Sequence, residues 1–169
     1  MKAWVIGLLA VVLLGAGAQT LFCCEEEPTL VRCSYESSGG MRGGHLIMKL
    51  ALQPDGTVQA TLDAQDEWNA PKTQRTVTVP KEKLDELAAM FSRDELTRWA
   101  KAPKSKDDVR DADTVTVEFR YSDKSEAVFH DYQELPTEAV DAMKKVHTFL
   151  RGFFPDVKLQ KRAARIFSL

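Results

Sequence analysis

The stretch from His45 to Asp63, HLIMKLALQPDGTVQATLD, constrains the fold more than any other part of the chain. Leu46, Met48, Leu50 and Leu52 alternate with Ile47, Lys49 and Ala51, and Val58, Ala60 and Leu62 alternate again after the PDG triplet. A period of two places alternate side chains on opposite faces of a strand. Between the two runs, Pro54 fixes φ, Asp55 offers its carboxylate to the backbone, and Gly56 supplies a positive φ. The pattern is a β-hairpin.

Further strands flank it. Leu30 to Tyr35 and Arg75 to Val79 are rich in β-formers, and TVTVEFRY at 114–121 alternates Val115, Val117, Phe119 and Tyr121 with Thr116, Glu118 and Arg120. Ser122 to Ser125 turns that strand into a second hairpin with Glu126 to His130. DAQDEWNAPK, from Asp63 to Lys72, reads as a polar connection. KAPKSKDDVRDAD, from Lys101 to Asp113, reads as a charged, exposed loop.

Helical periodicity appears twice. After Pro80, which opens a helix without losing a needed donor, Leu84, Leu87, Ala88 and Phe91 form an apolar stripe. Ser92-Arg93-Asp94-Glu95 fits a capping box for a second short helix carrying Leu96 and Trp99. Pro136 starts a long helix with Ala139, Met143, Val146 and Leu150 as its stripe, supplemented by Val140 and His147. Gly152 is expected as its left-handed stop, with Pro155 just beyond. Strands joined by short turns, with grouped helices, predict an α+β fold. The expected architecture is an antiparallel sheet of about five to six strands with two main helices on one face and the other face wet.

The N-terminus carries its own signal. MKAWVIGLLAVVLLGAGAQ has a basic Lys2, an apolar core from Trp4 to Leu14 and a small-residue Ala16-Gly17-Ala18 site, the pattern of a secretory signal peptide. The expected organisation is a signal peptide at 1–18, a polar leader at 19–29, one α+β domain at 30–155, and a basic amphipathic tail at 156–169. This implies a secreted or periplasmic protein. Two alternatives stand beside cleavage. The uncharged run to Cys24 is long enough for an uncleaved anchor, and Cys23 or Cys24 is a candidate for lipid attachment. The tail offers Lys158, Lys161, Arg162 and Arg165 for contact with an anionic surface.

The three cysteines are Cys23, Cys24 and Cys33. In an oxidising compartment Cys33 is a candidate partner for Cys23 or Cys24, with one thiol left over. No further Cys or His pair follows at zinc-ligand spacing. The formal net charge of −2 gives no general attraction to nucleic acid, and no nucleic-acid partner is expected.

Chemistry-bearing motifs are sparse. SSGGMRGGH at 37–45 concentrates glycines, but a phosphate loop needs a helix after it, and here a strand follows. Gly39, Gly40, Met41, Arg42, Gly43 and Gly44 are therefore read as a glycine turn or a presented binding loop. His45, His130 and His147 belong to no H-E-x-x-H pattern, and His130-Asp131 would point to opposite faces of a strand. Asp107, Asp108, Asp111 and Asp113 lack the spacing of a calcium loop. No cofactor and no enzymatic activity are expected, although a site assembled only by folding leaves no local motif.

Taken together, SSGGMRGG after the first strand, LDELAAMFSRDEL, DADTVTVEFRYSDKSEAVFHDYQ and ELPTEAVDAMKKVHTFL resemble, in order, the elements of the emfourin family over roughly 31–150. Those are small protein inhibitors of thermolysin-like metalloproteases. The resemblance implies a binding module that blocks a protease, but it carries over no contact residue. The glycine loop, with Met41 and Arg42, is expected from its own presentation as the segment that would occlude the cleft. The PDG hairpin, the signal segment and the basic tail are additions to that pattern. The alternative is an envelope-associated interaction protein held by its N-terminus.

Overall fold

The structure, a computed structural model, describes residues 27–39, 43–105 and 114–157. The PDG hairpin is formed as its alternation requires. Strands β2 (His45–Leu52) and β3 (Val58–Gln65) pair antiparallel, with Leu50 opposite Ala60 and Met48 opposite Leu62. In the turn, Gly56 has φ 82°, and the Asp55 carboxylate accepts the Thr57 N–H at 3.0 Å and its hydroxyl at 2.7 Å. That is the backbone capture expected of Asp in a turn.

Four more strands complete the sheet: β1 (Leu30–Ser38), β4 (Thr73–Val79), β5 (Thr114–Tyr121) and β6 (Glu126–His130). The spatial order is β4-β3-β2-β1-β5-β6, antiparallel throughout. β1 runs three residues beyond the expected Tyr35, and β4 begins at Thr73 rather than Arg75. Both extensions are stretches whose polar residues hide the pattern but whose backbone finds a ladder partner.

The register collects the apolar side chains. Cys33 and Tyr35 on β1 lie opposite Leu50 and Met48 on one side and opposite Phe119 and Val117 on the other. Phe129 on β6 lies opposite Val117. These positions share one face of the sheet, and all of them are buried. The helices are α1 (Glu82–Ala88), α2 (Arg93–Ala100) and α3 (Thr137–Arg151). Three ring pairs meet at that face: His147 of α3 meets Tyr35 edge-on at 5.0 Å, Phe91, between α1 and α2, meets Phe119 at 5.6 Å, and Trp99 of α2 meets Phe129 at 5.8 Å. Aromatic pairs in this geometry add to the burial of area itself.

The opposite face is polar. Glu118 receives Arg32 at 3.2 Å and Arg120 at 3.0 Å, Arg120 also reaches Glu126 at 3.1 Å, and Ser38 bonds Thr114 at 2.6 Å. Such partly exposed pairs are each worth about 0–1 kcal/mol, so they favour register more than stability.

Three local expectations are corrected. Ser92 is the N-cap of α2 in extended conformation, but its side chain makes no capping bond, so the capping box is not formed. Gly152 closes α3 with φ −58°, still right-handed, and donates to the Thr148 and Phe149 carbonyls. The left-handed stop is absent because the chain keeps turning, burying Phe154 and placing the Arg151 guanidinium on the Phe154 and Val157 carbonyls. Pro136 is the N-cap of α3 rather than its first helical residue.

Candidate binding end of the sheet

The β1–β2 connection leaves the sheet where Ser38 pairs with His45. Just beyond, the Gly39 N–H donates to the Gly44 carbonyl at 3.1 Å and closes the loop at its neck. Gly43 and Gly44 have φ 67° and 92°, values that L side chains rarely adopt. A second constraint comes from a neighbour. A Cβ on Gly44 would stand 2.8 Å from the Gln65 carbonyl oxygen, and a Cβ on Gly43 would overlap the Trp68 ring. The glycines are thus required by the β3–β4 connection lying against them.

That connection is braced from within. The Gln65 side-chain amide donates to the Trp68 carbonyl at 3.1 Å and to the Ala70 carbonyl at 2.9 Å, and the Ala70 N–H donates to Glu67 at 3.0 Å. The indole it presents is 73% exposed. An ordinary Trp is largely buried, so an indole held outward on a braced loop, with a glycine turn beneath it, is an unusual surface.

The base of this end is polar and tied across strands. His45 Nε2 lies 2.9 Å from Asp63 Oδ1, and Gln74 donates to Asp63 Oδ2 at 3.0 Å. The His45 hydrogen bond, then that from Gln74, holds the Asp63 carboxyl below its ordinary range. Across the sheet at the same end, His130 Nδ1 lies 2.9 Å from Thr116 Oγ1, and its ring stacks on Tyr132 at 4.7 Å. Gln133 fixes this corner, accepting from the His130 N–H at 2.7 Å and donating to the Ala102 carbonyl at 2.7 Å. Burial lowers the His130 pKa.

Of the residues singled out in the sequence, Gly39, Gly43 and Gly44 come together in this loop, and Gly40, Met41 and Arg42 lie outside the described residues. Cys33 is a free thiol with no exposed surface, facing Leu50 and Phe119 across the ladder. Burial pushes its pKa far above the usual thiol value. Cys23 and Cys24 lie outside the described residues, as do the signal segment, Asp107 to Asp113, and the tail from Lys158.

Sequence reasoning missed Trp68. Its signal was a lone aromatic in a polar turn, with no periodic apolar neighbours to draw it into a core. Among the described residues, no three His, Cys, Asp or Glu side chains are grouped to hold a metal ion, and no helix is long and apolar enough to cross a membrane. What the arrangement offers chemically is an apolar plate on a stiff turn, a surface suited to contact. No protein-family model and no curated protein matches the chain.

Proposed function

We propose that the chain is a secreted or periplasmic binding module that engages a protein partner through the glycine-loop end of its sheet. The exposed Trp68 indole seated on Gly43 carries this reading. Tryptophan is the residue type most enriched among contacts that dominate binding energy. A braced loop loses little conformational freedom on association, so more of the contact energy survives as affinity. In the neighbouring glycine stretch of the sequence, Arg42 would add a planar donor fork for an acidic rim, and Met41 an adaptable apolar side chain.

The partner implied by the emfourin-like order of elements is a thermolysin-like metalloprotease, whose cleft the loop would occlude. The test is titration of such a protease with the purified chain. Inhibition predicts stoichiometric loss of peptide hydrolysis, weakened at least about tenfold by Trp68→Ala, a loss of roughly 1.4 kcal/mol or more. Met41→Ala and Arg42→Ala test the glycine loop, with circular dichroism confirming that each variant folds. Full protease activity at molar excess of the folded chain refutes inhibition of the proteases tried.

A further inference from the structure

The two edges of the sheet are treated differently. β6 is five residues long, and α2 packs against it. Past its end the segment before β5 adds an isolated bridge, Lys104 to Gln133, with Glu134 N–H donating to the Pro103 carbonyl at 2.9 Å. β4 at the other edge has no such cover among the described residues. Its five central residues are exposed, and among the described residues no strand pairs with it besides β3. Thr73, Thr76, Thr78, Val77 and Val79 are β-formers, the strand contains no Pro or Gly, and Arg75 is its one charge. Natural edges are usually blunted by proline, several charges or a bulge, because open backbone groups template another strand.

We propose that β4 pairs with β4 of a second copy of this chain, antiparallel, joining two six-stranded sheets into one. The strand is self-complementary about its central residue. Pairing centred on Thr76 sets Thr76 opposite Thr76, Arg75 opposite Val77, Gln74 opposite Thr78 and Thr73 opposite Val79. No like charges stand directly opposite, and the Arg75 stem covers the 39%-exposed Val77. A two-fold axis through Thr76 also keeps the two core faces on the same side, since paired positions share parity. Pro71 and Pro80 bound the strand, which limits pairing to the segment centred on Thr76 and disfavours slipped registers. The Arg75 guanidinium now donates to the Gln74 carbonyl at 3.0 Å, a contact exchanged for ladder bonds in the pair.

Analytical ultracentrifugation of the purified chain tests this, with two variants chosen at the axis. The wild-type chain is expected to show a concentration-dependent dimer. Thr76→Lys and Thr76→Glu each place like charges face to face and are expected to raise the dimer Kd at least about tenfold. An equimolar mixture of the two, one of them uniformly labelled with nitrogen-15, restores a dimer, which native mass spectrometry identifies as mixed by mass. A wild-type chain that stays monomeric to its solubility limit overturns the proposal. So does a dimer indifferent to both substitutions, or folded variants whose mixture fails to associate.

Discussion

A side chain on Gly43 would occupy the space that the Trp68 indole fills. The glycine is held at φ 67° by its own turn and kept bare by a residue of another loop. Gly56, also left-handed at φ 82°, has open space where a Cβ would lie. The two positions therefore separate backbone strain from crowding. Gly56→Ala is expected to cost about 1–2 kcal/mol for the left-handed conformation alone. Gly43→Ala adds roughly 1 kcal/mol of crowding, since the indole has solvent to move into. In a Trp68→Ala background that addition disappears. Urea unfolding of the double-mutant cycle reads the difference, and a coupling of zero between the two positions would contradict the contact.

Phe129 stacks on Phe119 at 6.4 Å and meets Trp99 edge-on, with no exposed surface. Phe129→Ala is expected to cost about 3–5 kcal/mol, because lost transfer energy and an unfilled cavity add. Val77→Ala on the exposed edge strand should stay within about 0.5 kcal/mol. Denaturant midpoints for the two variants, measured at protein concentrations where the chain is monomeric, check the contrast.

Acidification should weaken the fold as His130 and His147 titrate. Burial, then the Arg151 charge, lowers the His147 pKa from its ordinary 6.5, and burial lowers that of His130. Below 6.5 the unfolded chain takes up protons that the folded chain refuses. The stabilisation is complete above that pH and is lost as pH falls through the folded values. Asp63, held low mainly by His45, loses stability in the same sense at more acid pH, whereas Asp131, raised by burial, acts oppositely there. Stability measured from pH 7.5 to 5.5 should decline, and His147→Gln should flatten the slope. An unchanged slope in that variant would assign the proton uptake elsewhere.

Cys33 should resist thiol reagents in the native protein. Its thiol is buried in the ladder between Leu50 and Phe119, and burial disfavours the reactive thiolate. Alkylation followed by peptide mapping should find Cys33 unmodified under native conditions and modified in denaturant. A peptide linking Cys33 to Cys23 or Cys24 would instead show that the pairing considered from sequence forms.

The strands and helices were legible because their cues are local. Alternation around PDG, the Val-Val-Phe-Tyr face of β5, and the Leu84–Leu87 and Ala139–Leu150 stripes each declare a face within a few residues. The α+β class followed from the order of those elements. Cues that depended on what comes next failed. Gly152 has the composition of a left-handed stop, yet the packing of Phe154 keeps the turn right-handed. Ser92 and Glu95 have the capping-box spacing, yet Glu95 lies 4.0 Å from Arg98 and Ser92 makes no side-chain cap. The candidate site was half legible: the glycines announced a special turn, but nothing adjacent in the chain announced Trp68.

From the sequence alone came the identity of each element, the position of its turns and which residues of each element are apolar. These follow from backbone sterics, side-chain period and turn chemistry, which act over a handful of residues. Only the tertiary structure decided that β1 lies between β2 and β5, that β4 pairs with β3 alone among the described residues, and that Trp68 settles on Gly43. Those outcomes depend on pairing between segments far apart in the chain, such as Ser34 with Glu118, where loop closure and a shared register set the choice. No short window of residues carries that information.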